Sequence, residues 1–227
     1  MLFLQIERIM RARRIDRLLV ATTSDEVDDV LADECVRRGL AVHRGSPSDV
    51  LNRYVEAATD YAPKAIVRLT GDCPLADWTV IDLVVQTYLN GSYMYVSNID
   101  PPTYPDGLDV EIIDYKALRI VDAEAQVPFE REHVTPFIRA HPERFSAANV
   151  RAPVDLSAFR WTVDEPKDLE LVRAIYEGLY PSNRAFKTAD VVDFLKQRPD
   201  LMRLNETVIR NARVLKSQAT DKIFRSV

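Results

Sequence analysis

Apolar positions in the first hundred residues alternate between short continuous runs and runs at helical spacing. The continuous runs predict buried strands at 18–21, 41–43, 65–70 and 93–97. Between them, apolar residues recur every three or four positions, which predicts helices near 2–10, 24–38, 47–58 and 77–89. This alternation predicts an α/β fold, with a mostly parallel sheet and helices on both of its faces.

Polar residues mark two of the expected helix starts. Ser46 followed by Pro47 fits a cap and a first helical residue, and Asp77 fits the cap of a later helix. The helix between the first two strands has an apolar face made of Val27, Val30, Leu31, Cys35 and Val36. We expect that face to be buried.

The pattern loosens after residue 100. Alternating apolar and charged residues at 108–113 predict a partly exposed strand, and 159–163 predicts a last buried one. Helices are expected at 114–126, 129–140, from 166 onward, and at 188–197 and 205–218. We therefore predict an α/β domain over residues 1–182 and a helical carboxyl-terminal extension over 183–227.

Composition narrows the class of protein. The chain is 47% apolar and has two cysteines, too few for a disulfide framework or a four-ligand zinc site. Neither a membrane span nor a signal peptide is evident, so we expect a cytoplasmic protein that does not bind membranes. The net charge of the chain is −5, although residues 183–227 carry a net charge of +5. The aromatic residues of that basic tail are scattered, which argues against nucleic-acid binding.

Glycine and histidine positions exclude several enzyme classes. The six glycines form neither a dinucleotide-binding fingerprint nor a phosphate loop of the P-loop type. The three histidines lack metal-ligand spacing, and no G-x-S-x-G sequence occurs. Dehydrogenase, P-loop NTPase, zinc enzyme and serine hydrolase functions are therefore disfavoured.

Two acids follow predicted strands directly. Asp72 comes after the strand at 65–70, and Asp164 comes after the strand at 159–163. Ligands of open α/β sheets bind beyond the carboxyl ends of strands, and Mg²⁺ commonly takes one or two carboxylates. The alternative is that Asp72 closes a turn and that Asp164 caps a helix.

Three separated motifs carry a family resemblance: residues 44–54, 68–75 and 161–169. In order and spacing they resemble motifs of the cytidylyltransferase family, which includes CMP-ketodeoxyoctonate and CMP-acylneuraminate synthetases. The branch named for spore coat polysaccharide synthesis protein F is similar to the chain at further segments, namely 97–98, 104–111, 130–136, 199–201 and 205–217. The similarity covers essentially the whole chain.

The resemblance implies a nucleotide-diphospho-sugar transferase-like, Rossmann-like fold and a sugar nucleotidyltransferase activity. In that reaction a sugar hydroxyl attacks the α-phosphate of CTP, and pyrophosphate leaves. Asp72 and Asp164 would hold Mg²⁺ on the phosphates, whereas Asp168 could serve only to complement the helix dipole. The product would be a CMP-sugar for surface or spore-coat polysaccharide, and a homodimer is expected on resemblance alone.

The resemblance also implies contacts to the two substrates. Nucleotide contacts are expected from Arg44, Gly45, Asp49, Arg68, Thr70 and Gly71. A plain turn and helix cap is the alternative for the segment 44–49. Acceptor contacts are expected from Asn98, Asp106, Asp109 and Glu130, while Glu111 is interpreted as part of an exposed strand face. His133 could act as an acid or base, or could be structural.

Family members begin with a strand and a basic, glycine-rich loop ahead of a helix that resembles residues 2–13 of this chain. Here the first strand and that loop are missing, and we expect impaired catalysis. A misplaced start codon, a degenerate copy, or a strand supplied by another chain could each explain this, and we favour the first.

Two other functions remain possible at this stage. A glycosyltransferase of similar fold would need a D-x-D motif, and the nearest candidate, Asp106 with Asp109, has the wrong spacing. A noncatalytic scaffold or a sugar- or nucleotide-binding subunit is favoured only by the missing loop.

Overall fold

The computed structural model describes residues 1–208 together with residues 210 and 217. The strands are β1 (Leu19–Thr23), β2 (Ala41–Gly45), β3 (Ala65–Arg68), β4 (Tyr95–Ser97), β5 (Glu111–Asp114) and β6 (Ala147–Asn149). The helices are α1 (Leu2–Ile9), α2 (Asp29–Arg37), α3 (Val50–Thr59), α4 (Trp78–Asn90), α5 (Tyr115–Glu124), α6 (Pro128–His133), α7 (Pro136–Ala140), α8 (Pro166–Leu179), α9 (Thr188–Lys196) and α10 (Pro199–Met202). None of the helices in the described ranges combines the length and apolar character needed to cross a bilayer.

The strands form two hydrogen-bonded groups. β1 and β2 pair in parallel, and a four-stranded sheet has the order β3-β5-β4-β6. β4 and β6 are parallel, but β5 runs antiparallel to both β3 and β4, so the pairing is mixed rather than mostly parallel. The predicted α/β, Rossmann-like class is confirmed. The short strand β6 was not predicted, because its small residues lack a strong apolar pattern.

The predicted strand at 159–163 is wrong as a regular strand. Within the described chain it forms one isolated parallel bridge, between Asp106 and Arg160. The Asp106 amide donates to the Phe159 carbonyl at 2.9 Å, and the Trp161 amide donates to the Asp106 carbonyl at 2.6 Å. Two residues later the Val163 amide donates to the Asp72 carbonyl at 2.9 Å. The backbone bonds of this extended segment therefore go to two different loops.

One core cluster joins the sheet to the carboxyl-terminal helices. Trp161 lies in it together with the buried side chains Phe186, Val191, Leu195 and Leu201. The part of the predicted extension that the structure describes therefore packs on the same core as the α/β elements. The boundary at residue 182 and the missing first strand stay predictions, and most of the predicted helix at 205–218 lies outside the described residues.

The expected burial of the apolar face at 27–36 is wrong for its three valines. Val27, Val30 and Val36 are 82%, 76% and 64% exposed, and Cys35 is buried. The helical spacing is correct, but no described element packs closely over these valines.

Helix boundaries depart from the sequence pattern at two places. Asp77 caps α4 as predicted, since its carboxylate accepts the Thr79 amide at 2.9 Å. The predicted cap at Ser46 is wrong, because α3 begins after Asp49. The predicted helix at 129–140 is two helices, which are separated at Val134.

Candidate active site

The loop after β3 is joined to the extended segment 159–163 and the residues that follow it. Asp72 lies in the loop after β3, and its carbonyl accepts the Val163 amide at 2.9 Å and the Thr162 hydroxyl at 3.3 Å. Asp164 follows Val163 directly. The structure thus brings together the two acids that the sequence predicts as a metal pair.

The Asp72 carboxylate fits a metal-binding role. No Lys or Arg in the described part of the chain forms an ion pair with it, and the Cys73 thiol donates to it at 3.4 Å. Among the described residues, no three His, Cys, Asp or Glu side chains are grouped to hold a metal ion. A site here would therefore rest on two carboxylates, with water and phosphate as the other ligands, which is a common arrangement for Mg²⁺.

Arg160 fixes the position of Asp164. Its guanidinium donates to Asp164 at 2.7 Å, to Asp106 at 2.9 Å and to Asp168 at 2.9 Å. Burial opposes the charge on Arg160, but the hydrogen bonds to Asp168 and Asp164 outweigh that cost and raise its pKa. Arg160 is 8% exposed, so these ion pairs are shielded from solvent.

Asp168 does more than complement the helix dipole. Its side chain is fully buried, and it accepts the amide of Asn205 at 2.7 Å as well as the bonds from Arg160. It also accepts the backbone amides of Asp164 and Glu165, at 3.1 and 3.0 Å. The alternative that Asp164 caps α8 is wrong, because Glu165 occupies the cap position. Asp168 therefore shapes the backbone at the candidate metal pair.

Asp106 and Asp109 form a second acidic pair, close to the first. Burial raises the pKa of Asp106, and the negative charge of Asp164 adds to this effect. The Asp109 side chain is 32% exposed, but many protein atoms surround its carboxyl group. The resulting loss of solvation raises the pKa of Asp109 to about 7. Arg210 opposes both shifts, since its guanidinium donates to Asp109 at 3.0 Å. Asp106 is buried and bound by Arg160, whereas Asp109 keeps part of its side chain exposed.

Asn98 is fully buried behind this pair. Its amide group donates to the Leu108 carbonyl at 2.8 Å and accepts the Val110 amide at 2.8 Å. Both ends of the side chain thus hold the backbone on either side of Asp109. In this structure Asn98 positions the loop, and direct contact with an acceptor stays a prediction.

Arg68 and Glu111 form a buried ion pair. Glu111 is 2% exposed, so its interpretation as an exposed strand residue is wrong. It accepts hydrogen bonds from Arg68 and from the Tyr95 hydroxyl. The pairing of β3 with β5 sets Arg68 opposite Glu111, which explains the contact. Nucleotide contact by Arg68 stays a prediction.

The segment 44–49 makes well-defined internal contacts. Arg44 donates to the Thr23 carbonyl at 2.9 Å and pairs with Asp29 at 2.6 Å. A Cβ atom at Gly45 would lie 3.1 Å from Arg53, so the glycine permits close packing. Asp49, at the end of the segment, caps α3 instead of Ser46, and a nucleotide role for the segment remains untested.

Thr70 and Gly71 precede Asp72 in the loop after β3. The Thr70 carbonyl accepts the Gln5 side-chain amide at 2.7 Å, which anchors the loop to α1. The Thr70 hydroxyl lies 3.2 Å from the Cys73 sulfur. Around Gly71, a Cβ atom would make only an ordinary contact, 3.9 Å from Leu2. Space alone therefore does not require glycine at this position.

Glu130 and His133 lie on α6, which packs against α3. Arg131 holds this helix through an ion pair of 2.7 Å with Asp49, the cap residue of α3. Val134, which follows His133, has φ 70° and ψ −52°, and the Thr135 amide donates to the His133 carbonyl at 2.8 Å. A β-branched residue in this conformation is strained, and such strain often occurs at functional sites. The His133 side chain is 16% exposed.

A separate cleft of about 230 Å³ lies between β4, β6 and α7. Its polar lining comes from Tyr95, Ser97, Asp100, Arg139 and Asn149. The predicted site residues do not line it.

Sequence reasoning missed three charged residues of the site. Arg160 pairs with Asp106, Glu111 with Arg68, and Arg210 with Asp109, and in each case the partner is far away in the sequence. The spacing of Asp164 and Asp168, four and eight residues after Arg160, was the one local signal available.

The structure combines a Rossmann-like α/β fold with two neighbouring pairs of acids, Asp72 with Asp164 and Asp106 with Asp109. A solved cytidylyltransferase from Leptospira borgpetersenii serovar Hardjo-bovis (strain JB197) has the same fold, with a TM-score of 0.85 and 30% identity over 92% of this chain and 87% of that one. A profile of the cytidylyltransferase family matches residues 1–187. The chain therefore belongs to the cytidylyltransferase family.

Two named proteins are also similar to this chain in sequence. Spore coat polysaccharide biosynthesis protein SpsF of Bacillus subtilis (strain 168) is 33% identical over 195 residues, which cover 82% of this chain and 77% of that protein. The 3-deoxy-manno-octulosonate cytidylyltransferase of Chlorobium phaeobacteroides (strain BS1) is 38% identical over 88 residues, or 37% of this chain and 34% of that protein. The enzyme class, nucleotidyltransferase, follows from the family.

Proposed function

We propose that the protein forms a CMP-sugar from CTP and a sugar acid. The observation that carries this proposal is the pair of hydrogen bonds that Val163 and Thr162 donate to the Asp72 carbonyl. They join the two loops that carry Asp72 and Asp164. Two carboxylates at one sheet edge suit a nucleotide whose phosphates bring a divalent metal.

In the proposed reaction a sugar hydroxyl oxygen bonds to the α-phosphorus of CTP. The bond from that phosphorus to the bridging oxygen breaks, pyrophosphate leaves, and the hydroxyl proton passes to a base or to water. Asp72 and Asp164 would hold Mg²⁺, which when bound neutralises negative charge on the phosphates. Positioning and charge stabilisation supply most of the rate in phosphoryl transfer, so the chain acts mainly by holding its groups in place.

Each charged residue then has a specific part. Arg160 keeps the Asp164 carboxylate in a fixed position through its bond of 2.7 Å. Asp106 and Asp109 would accept hydrogen bonds from acceptor hydroxyls. His133, on α6, is the proposed acid or base. Because Asp106 is buried and already bound by Arg160, we assign the more accessible Asp109 the larger share of acceptor binding.

The names of the relatives suggest what the proposed CMP-sugar would be used for. One is named for spore coat polysaccharide, and the other for transfer to 3-deoxy-manno-octulosonate. We propose that this chain likewise activates a sugar acid for a surface polysaccharide.

The test is direct identification of the product. The protein is incubated with CTP, Mg²⁺ and a panel of sugar acids, and CMP-sugar and pyrophosphate are measured by mass spectrometry and ³¹P NMR. Asp72→Asn should lower the rate about a hundredfold, which is typical when a charged group of the active site is removed. Asp60→Asn, at an exposed position after α3, is the matched control. Equal rates for wild type and Asp72→Asn would contradict the assignment.

A further inference from the structure

The loop after β3, which carries Asp72, is attached to two helices. It contains neither helix nor strand, so other bonds must fix its position. The side-chain amide of Gln5, on α1, donates to the Thr70 carbonyl at 2.7 Å. The Tyr176 hydroxyl, on α8, donates to the Pro74 carbonyl at 2.7 Å. Because these carbonyls lie two residues before and two residues after Asp72, the loop is held on both sides of the candidate metal residue.

Arg8 of α1 holds the end of the same loop. Its guanidinium donates to the Ala76 carbonyl at 2.8 Å and lies over the buried ring of Phe186, 4.3 Å from the ring centre. Arg8 is itself 2% exposed, so this attachment is part of the core. The side chains that hold the loop from α1 and α8 all bind backbone carbonyls. They fix the loop through its backbone and leave the Asp72 carboxylate available to a metal ion.

α8 connects this loop to the second acid of the candidate metal pair. The helix begins at Pro166, two residues after Asp164. Further along the same helix, the Tyr176 ring packs edge-on against Phe186, with the ring centroids 5.4 Å apart. Burial raises the pKa of Tyr176 to about 12, so near neutral pH its hydroxyl keeps the proton that it donates to the loop. One helix thus follows Asp164 directly and also binds the loop after β3.

We propose that Tyr176 is a positioning residue of the candidate metal pair. Through its bond to the Pro74 carbonyl it sets the separation of Asp72 from Asp164, while Gln5 holds the other side of the loop. Mg²⁺ requires near-ideal octahedral geometry, so a small displacement of one carboxylate weakens its binding. This inference rests on the proposed function and adds to it two side chains, from α1 and α8, for which the sequence predicted no part in the site.

Two phenylalanine variants at the same helix isolate the role of the Tyr176 hydroxyl. Tyr176→Phe removes the hydroxyl that binds the loop. Tyr180→Phe, at the residue that ends α8, removes a hydroxyl that binds Glu7 at 2.7 Å, and it is the matched control. Gln5→Met removes the bond to Thr70 with little change in side-chain size, and tests the other attachment independently. Thermal unfolding checks that all three variants are folded at the assay temperature, as expected when a single hydrogen bond is lost.

The measurement is calorimetric titration with CTP, in the presence and in the absence of Mg²⁺. With Mg²⁺, Tyr176→Phe should bind CTP about threefold to tenfold more weakly than wild type, the effect of losing one hydrogen bond. Without Mg²⁺, its affinity should stay within about twofold of wild type, because the metal geometry is then not involved. Gln5→Met should change the affinity in the same way, and Tyr180→Phe should match wild type in both conditions.

A second readout uses no ligand. Hydrogen exchange of the amides in the loop after β3 should be faster in Tyr176→Phe than in wild type or Tyr180→Phe. The inference would be overturned by unchanged exchange in that loop, by a wild-type gain in affinity from Mg²⁺ in Tyr176→Phe, or by an equal loss in Tyr180→Phe. If wild type itself binds CTP no more tightly with Mg²⁺, the proposed function has failed instead, and wild type alone shows that result.

Discussion

At the scale of residues, the site is built around a buried network of charges. Arg160 joins the candidate metal residue Asp164 to Asp106 and to the fully buried Asp168. Breaking a buried ion pair is costly, because the remaining partner keeps its charge without compensation. The network thus supports both the stability of the protein and the position of Asp164.

We predict that Asp168→Asn lowers the free energy of unfolding by about 3 kcal/mol, because an NH₂ donor replaces a buried carboxylate oxygen, and each oxygen of Asp168 accepts hydrogen bonds from Arg160 and from other groups. Urea denaturation measures the change. Asp200→Asn is the matched control, since Asp200 pairs with Arg198 at the surface, where ion pairs contribute little. Similar losses in the two variants would refute the importance of burial for this network.

Residues whose partners are local could be predicted, and the others could not. Asp77 was recognised as a cap because it stands just before an apolar helical pattern. Glu111 was misjudged because its partner Arg68 lies 43 residues away and meets it only when β3 pairs with β5. Burial of a charged residue depends on such pairing, and alternation along one strand does not reveal it.

At the scale of elements, the extended segment 159–163 shows what the spacing of apolar residues cannot predict. Its apolar residues correctly predicted an extended, buried segment around Trp161. Its backbone, however, bonds to Asp106 on one side and then to Asp72, so it does not form a regular ladder. The break at Val134 likewise follows from a backbone conformation that the helical pattern of 129–140 did not indicate.

The contact between α4 and α9 also depends on a single acid. One oxygen of Asp77 accepts the Thr79 amide, and the other accepts the amide and hydroxyl of Thr188, at 2.9 and 2.7 Å. We predict that Asp77→Ala lowers the free energy of unfolding by about 2 to 4 kcal/mol, because both helix starts lose an acceptor.

Asp190→Ala is the control for this prediction. Asp190 lies on α9 and accepts a single exposed backbone amide, that of Lys187. Its loss should lower the unfolding free energy less than the loss of Asp77, as followed by urea denaturation. A larger effect for Asp190→Ala would show that Asp77 does not join the two helices.

At the scale of the whole molecule, the α/β class and the gathering of Asp72 and Asp164 at one edge follow from the order of strands and helices. The antiparallel direction of β5 and the separation of β1 and β2 from the other strands could not be predicted from that order. Sheet order is set by crossovers between distant segments. The tail contact through Arg210 is another such long-range feature, joining residues about a hundred positions apart.

The most direct test of the central claim is calorimetric titration of the protein with CTP in the presence and absence of Mg²⁺. If Asp72 and Asp164 form the metal-dependent nucleotide site, CTP should bind more tightly with Mg²⁺, and Asp72→Asn should lose that dependence while Asp60→Asn keeps it. CTP binding that is indifferent to Mg²⁺ and to Asp72, or no CTP binding at all, would contradict the account.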